Sequence, residues 1–259
     1  MALVNVEARG HVLLIGLNRP GKMNAMNREM YHLIAGAYGR LNRDPELRVG
    51  LVYAEGDHFT SGLELDDWAG VFSNGEGLTL NEGEVDPFFI TGPPLDKPVV
   101  YATQGICFTC GVEMMLNTDI RVAANNSRYA QLEVKRGIFP CGGATIRLQE
   151  EIGWANAQRY LLTGDEWNAQ QAYDWGLVQE LVEPGEQFGR ALELAERVAN
   201  AAPLGVQGSL RSSRLARLEG HDAAKQRLFP DLAPVMASED VQEGIQSFLE
   251  RRDAVFKGR

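Results

Sequence analysis

The sequence predicts an α/β fold: a parallel or mostly parallel sheet covered on both faces, followed by a helical C-terminal region. Two observations carry this expectation. Short apolar runs recur through the first half of the chain, the pattern of strands buried on both faces. Apolar residues at helical spacing lie between them and dominate after Trp154.

The first strand is Val12–Leu17, closed by Arg19-Pro-Gly. Asn27 is placed to cap a helix over residues 30–41. Further strands are predicted over residues 49–53, 99–102 and 119–123. Residues 66–97 break the alternation. They carry Asp66, Asp67, Glu76, Glu82, Glu84 and Asp86 against the base Lys97, with Gly75, Gly77, Gly83, Gly92 and Pro93-Pro94 among them. So long and flexible a segment reads either as a lid or binding loop, or as a solvated surface excursion. Helical spacing returns over residues 155–162, 168–175 and 188–201. Ala202-Pro203-Leu-Gly205 then marks a boundary, dividing a core of residues 1–201 from a helical region of residues 202–259. That region carries Arg211, Arg214, Arg217, Arg227, Arg251 and Arg252. It cannot bury its apolar faces alone, so it folds back on the core or packs on another subunit.

Composition excludes several classes. The 259 residues are 44% hydrophobic and 23% charged, which suits one large domain or a domain with a small appendage. A net charge of −10 argues against a broad nucleic-acid surface and against anionic membranes. It leaves room for a phosphate-bearing ligand held by a few Lys or Arg. No apolar run approaches the ~18 residues of a membrane span. The opening Met1-Ala-Leu-Val lacks the charged leader and apolar core of a secretory signal, so the expected compartment is the cytoplasm. Cys107, Cys110 and Cys141 are too few for a disulfide scaffold at this length, and one short of a Cys-only zinc site. His11, His32, His58 and His221 are scattered without evident partners, and no metal site is expected.

Two glutamates are the most informative residues. Glu113 lies in Gly105-Ile-Cys-Phe-Thr-Cys-Gly-Val-Glu113-Met-Met-Leu, and Glu133 in Tyr129-Ala-Gln-Leu-Glu133-Val-Lys-Arg-Gly-Ile-Phe-Pro140-Cys-Gly-Gly. A carboxylate among apolar residues is costly to desolvate, so it is paired, protonated or functional. Two of them beside backbone turns point to acid/base chemistry. The other reading is that each is a helix-start glutamate bonded to a spare backbone N–H.

Six motifs in order carry a resemblance. Asn18-Arg-Pro-Gly-Lys-Met-Asn-Ala-Met-Asn27 is similar to N-R-P-x-K-x-N-A-x-N. Gly56-Asp-His-Phe-Thr-Ser-Gly62-Leu63-Glu-Leu65 is similar to G-x-x-F-x-x-G-x-x-L, and Lys97-Pro-Val-Val-Tyr-Ala-Thr-Gln-Gly105 to K-P-V-I-A-A-V-N-G. Thr163-Gly-Asp, Ala172-Tyr-Asp-Trp-Gly-Leu-Val178, and the end Phe248-Leu-Glu-Arg-Arg-Asp-Ala-Val-Phe-Lys257 complete the set. Over nearly its whole length the chain resembles the crotonase (enoyl-CoA hydratase/isomerase) superfamily. The resemblance implies an α/β crotonase fold of repeated ββα units, shared with ClpP, and a C-terminal helical region that packs in a trimer, often doubled to a hexamer. It also implies an acyl-CoA thioester as substrate, with coenzyme A part of that substrate and no separate cofactor.

By the same resemblance, the N–H groups of Leu63 and Cys110 are the donors that stabilise a thioester enolate, as preorganised backbone donors do. Lys22 and Lys257 are the candidates for the CoA phosphates, the alternative being solvated surface lysines. Ser61, Gly62 and Leu65 pass close to the adenine and pantetheine, with Gly111 and Cys141 alongside. Relatives commonly have Gly-Gly-Gly where this chain has Thr109-Cys110-Gly111, so Cys110 and Cys141 are two thiols expected to line or flank the pocket. Both glutamates are present, as in the hydratases. This implies syn-hydration of a 2-enoyl-CoA, with Glu113 activating water and Glu133 delivering the proton to the α-carbon. Other readings are double-bond isomerisation, C–C hydrolysis of a β-diketone, a CoA-binding relative without turnover, and a redox C-x-x-C at Cys107 and Cys110.

Overall fold

The fold is that of a computed structural model, which describes residues 2–73, 75 and 77–259, so Met1, Asn74 and Glu76 lie outside the described residues. A six-stranded sheet runs in the order β1 (Val4–Arg9), β2 (Val12–Leu17), β3 (Val49–Ala54), β4 (Val99–Thr103), β6 (Ile120–Ala124) and β9 (Glu180–Val182). All its neighbours are parallel except the β1–β2 hairpin. A smaller three-stranded sheet holds β5 (Ile106–Phe108), β7 (Arg128–Ala130) and β8 (Glu166–Asn168). The strand pairs β4–β5 and β6–β7 each send their first strand to the large sheet and their second to the small one. A bridge from Thr60 to Cys107 attaches the segment after β3 to the small sheet in the same way.

The period-2 geometry of a strand explains why the predicted strands read as unbroken apolar runs. Leu13 and Ile15 face one core with Ile34, Tyr38 and Leu41 of α1 (Arg28–Arg43). Val12 and Leu14 face a second core against Ala191, Ala195 and Ala199 of α7 (Gln187–Asn200). Asn27 caps α1 as expected, accepting from Met30 N at 2.9 Å. The remaining helices are α2 (Leu65–Ser73), α3 (Cys110–Met115), α4 (Ala144–Ile152), α5 (Trp154–Thr163), α6 (Ala169–Asp174), α8 (Pro203–Glu219), α9 (His221–Met236) and α10 (Glu239–Glu250).

Residues 66–97 correct the expectation of a long flexible segment. They open within α2, whose Trp68 is buried and donates to Met26 O at 2.9 Å. Farther on, Asp86 is fully buried rather than solvated. It accepts from Phe88 N (2.9 Å), Ile90 N (2.8 Å), Thr91 N (2.9 Å) and the Tyr31 hydroxyl (3.2 Å). A short acidic side chain accepting successive N–H groups folds the loop around itself. Lys97 is buried as well, donating to Leu41 O (2.8 Å) and Asp44 O (2.6 Å).

The C-terminal region does fold back on the core along α8. Arg214 reaches Asp119 (3.2 Å) and the carbonyl of Leu95, and Arg217 reaches Glu150 (2.5 Å) and Glu151 (3.3 Å). No helix among the described residues is long and apolar enough to cross a membrane.

Asp86→Ala leaves three N–H groups and a tyrosine hydroxyl without their acceptor. It should lower the unfolding free energy by about 3 kcal/mol, measured by urea denaturation.

Candidate active site

Two backbone segments meet at the site. Met26 N donates to Gly62 O (2.8 Å) and Glu64 N donates to Met26 O (3.0 Å). This parallel bridge turns the intervening Leu63 N–H away, and it donates to no group among the described residues. The second segment enters α3, where Cys110 is the first helical residue and its N–H has no intrahelical acceptor. The segments touch at Gly62, φ 113°, where a Cβ would strike the Thr109 hydroxyl. Thr109 itself holds φ 48° and ψ −111°, a conformation foreign to β-branched residues. Its N–H is tied to Ala130 O (2.8 Å) and its carbonyl accepts from Glu113 N (3.0 Å), which holds the strained residue in place.

Glu113 sits one turn into α3 and is 4% exposed. Its Oε1 accepts from Gly142 N (2.7 Å) and Ala144 N (3.2 Å), free groups at the start of α4. Burial pushes its carboxyl up to about 7, against the pull of those N–H groups and of Arg147. Glu133 opens a 3-10 turn (Glu133–Arg136) just after β7 and is 9% exposed. Burial and the charge of Glu113 push it up to about 8. The Gln131 amide nitrogen, turned toward this carboxylate, lies 2.8 and 3.0 Å from its oxygens. The arrangement is two carboxyl groups largely out of water, pushed up to about 7 and about 8, beside the helix that opens at Cys110.

The model of the family described as enoyl-CoA hydratase/isomerase matches residues 7–259. The chain belongs to the enoyl-CoA hydratase/isomerase family. It is 32% identical to the enoyl-CoA hydratase EchA19 of Mycobacterium tuberculosis, over 98% of this chain and 96% of that one. It is 33% identical to a carnitinyl-CoA dehydratase of Salmonella paratyphi A, over 99% and 98% of the two chains. Among solved structures it is similar to a probable enoyl-CoA hydratase/isomerase from Mycobacterium abscessus (TM-score 0.95, 42% identity, 99% of both chains). It is also similar to the enoyl-CoA hydratase EchA1 of Mycobacterium marinum (TM-score 0.89, 33% identity, 99% of both chains). These neighbours carry the crotonase fold, and so does this chain.

The structure places the other residues singled out in the sequence at several distinct positions. Ser61 is tied to the Lys22 turn, its N–H donating to Met23 O at 2.9 Å. Lys22 is exposed and near enough to Glu64 to help hold that carboxyl below its usual value, after the larger effect of Arg19. Leu65 starts α2 at the surface. Lys257 stands apart, its backbone N–H held by Asp240 (2.6 Å) and its amine near Glu239 (3.8 Å). Gly111 is buried for packing, since a Cβ there would meet Thr60 at 2.5 Å and the Cys107 sulfur at 3.0 Å.

The thiols need correction. Cys110 does not line the pocket with its side chain, which is buried in the main core. Cys107 is buried beside it, and burial pushes both thiols well up, which suits inert packing rather than redox chemistry. Cys141 alone is exposed, with its thiol pushed up to about 11 by partial burial and the two glutamates. Sequence reading missed Gly142, Ala144, Gln131 and Arg147. The Gly142-Gly143 pair before a helix was the available signal.

Thr109→Gly removes the strained β-branched residue. It should raise the unfolding free energy by about 1 kcal/mol in chemical denaturation.

Proposed function

We propose that this chain is an enoyl-CoA hydratase, a hydro-lyase that adds water syn across the double bond of a 2-enoyl-CoA thioester. One observation carries the reading: two buried carboxyl groups with unequal support, Glu113 bonded to two N–H groups and Glu133 raised further by the charge of Glu113. At neutral pH the favoured state has Glu113 ionised and Glu133 protonated. Glu113 then takes a proton from water as the water oxygen bonds to the β-carbon. The π electrons move to the thioester oxygen, giving an enolate between the Leu63 and Cys110 N–H groups. Glu133 gives its proton to the α-carbon, and proton exchange with solvent resets the pair. Each N–H donor lowers the barrier by about 2.7–4 kcal/mol. Lys22, at the Ser61–Leu65 turn, supports binding of the CoA phosphates more directly than Lys257, which stands apart in this subunit.

Crotonyl-CoA loses its conjugated-thioester absorbance on hydration. Wild-type protein should show rapid loss, and Glu113→Gln should slow it by at least about 10³-fold. Rapid loss in Glu113→Gln would sink the assignment of the base. The rate should rise as Glu113 ionises through about 7 and fall as Glu133 ionises through about 8, a narrow bell.

We also propose self-association through the C-terminal helices. Phe229 of α9 and Phe248 of α10 are 80% and 82% exposed, with Leu218, Leu228 and Leu249 nearby in sequence and also uncovered. Sedimentation should give three or six times the 28.5 kDa of one chain. A monomer would overturn this.

A further inference from the structure

Arg19, just after β2, takes no part in the reaction above, yet its hydrogen bonds lead to a group that does. Its Nη1 donates to Ala25 O (3.0 Å). That carbonyl and the Met26 N–H are opposite edges of one planar trans peptide group, and the N–H donates to Gly62 O (2.8 Å). Gly62 O and the Leu63 N–H are opposite edges of a second such group. The Leu63 N–H therefore leaves on the side away from Met26. Its direction is set by a chain of two peptide planes that starts at the guanidinium.

The guanidinium is itself fixed. It forks onto Glu64, Nη1 to Oε2 at 2.6 Å and Nη2 to Oε1 at 3.3 Å, with both side chains mostly buried. Glu64 follows Leu63 directly, and its own N–H donates to Met26 O (3.0 Å). One guanidinium thus holds both sides of the Met26–Leu63 bridge. The Arg19 backbone is anchored in turn by Asn24, which is fully buried. Arg19 N donates to Asn24 Oδ1 (2.6 Å), while Asn24 Nδ2 donates to Glu55 O (3.0 Å) and His58 O (2.8 Å). The Cys110 N–H depends on none of these bonds, since the start of α3 places it.

We propose that Arg19 is a positioning residue for the enolate: its fork to Ala25 and Glu64 aims the Leu63 N–H through two peptide groups. A hydrogen bond weakens steeply once its angle falls below about 120°, so a donor free to tilt stabilises the enolate less. A lysine at position 19 keeps the charge but not the planar fork, and cannot hold Ala25 and both Glu64 oxygens at once.

This role rests on the hydratase reading for the enolate, and its test uses a ligand that cannot be hydrated. Full-length protein is saturated with butanoyl-CoA carrying ¹³C at the thioester carbon, and the carbonyl stretch is read by isotope-edited infrared spectroscopy. Two aimed N–H groups should lower that stretch relative to free butanoyl-CoA in water. In Arg19→Gln about half of the downshift should be lost, one donor of two having come loose. With crotonyl-CoA, kcat should fall about 10²-fold with KM little changed. Arg19→Lys should also lose part of the downshift. A folded Arg19→Gln that keeps the full downshift overturns the proposal whatever its rate, since any loss would then arise elsewhere in the site. A wild type that binds butanoyl-CoA without a downshift overturns it too. If Arg19→Gln does not fold, Arg19→Lys decides alone: a reduced downshift supports the aiming role and an undiminished one overturns it. A wild type that shows the downshift but does not hydrate crotonyl-CoA would remove the hydratase reading and leave the role of Arg19 standing.

Discussion

Glu113 is a carboxylate held nearly out of water by two backbone N–H groups at the start of α4, and the rest of the site is arranged around that contact. An unsupported carboxylate in this interior would stay protonated and could not act as a base near neutral pH. The N–H pair and Arg147 offset part of the desolvation, which leaves the group poised near 7 rather than far above it. The contact also dictates sequence. Gly142 has no space for a Cβ beside the carboxylate, and Gly143 has none beside Arg147.

The other half of the site depends on backbone geometry. A parallel bridge to Met26 leaves the Leu63 N–H unbonded, and the start of α3 leaves that of Cys110 unbonded. Both donors belong to the backbone, so the identity of residue 110 is less constrained than its N–H direction. A cysteine is accommodated there because its side chain is buried in the core. Thr109 is the costlier departure, because a β-branched residue is held at positive φ by bonds to Ala130 and from Glu113.

Strands β2, β3, β4 and β6 were legible because burial on both faces leaves an apolar run, whereas β1, equally long but mostly uncovered, was missed. The three-residue strands β5, β7, β8 and β9 were missed too, since three residues carry too little periodicity to register. Residues 66–97 misled for a different reason. Their acidic composition suggested solvent, but Asp86 turns inward because the loop offers it successive N–H donors.

The sequence by itself determined the α/β class, the capped first helix, the helical tail and the family, because these rest on local periodicity and on motif order. It also marked Glu113 and Glu133 as unusual, since charge in an apolar run is visible without coordinates. Only the tertiary structure decided what surrounds them: that Glu113 meets Gly142 and Ala144, about thirty residues onward in the chain, that Arg147 stands behind the same glycines, and that Cys110 is buried while Cys141 is not. Those facts depend on how α3, β7 and α4 pack against one another. Electrostatic support between residues distant in sequence exists only once the chain has closed around it.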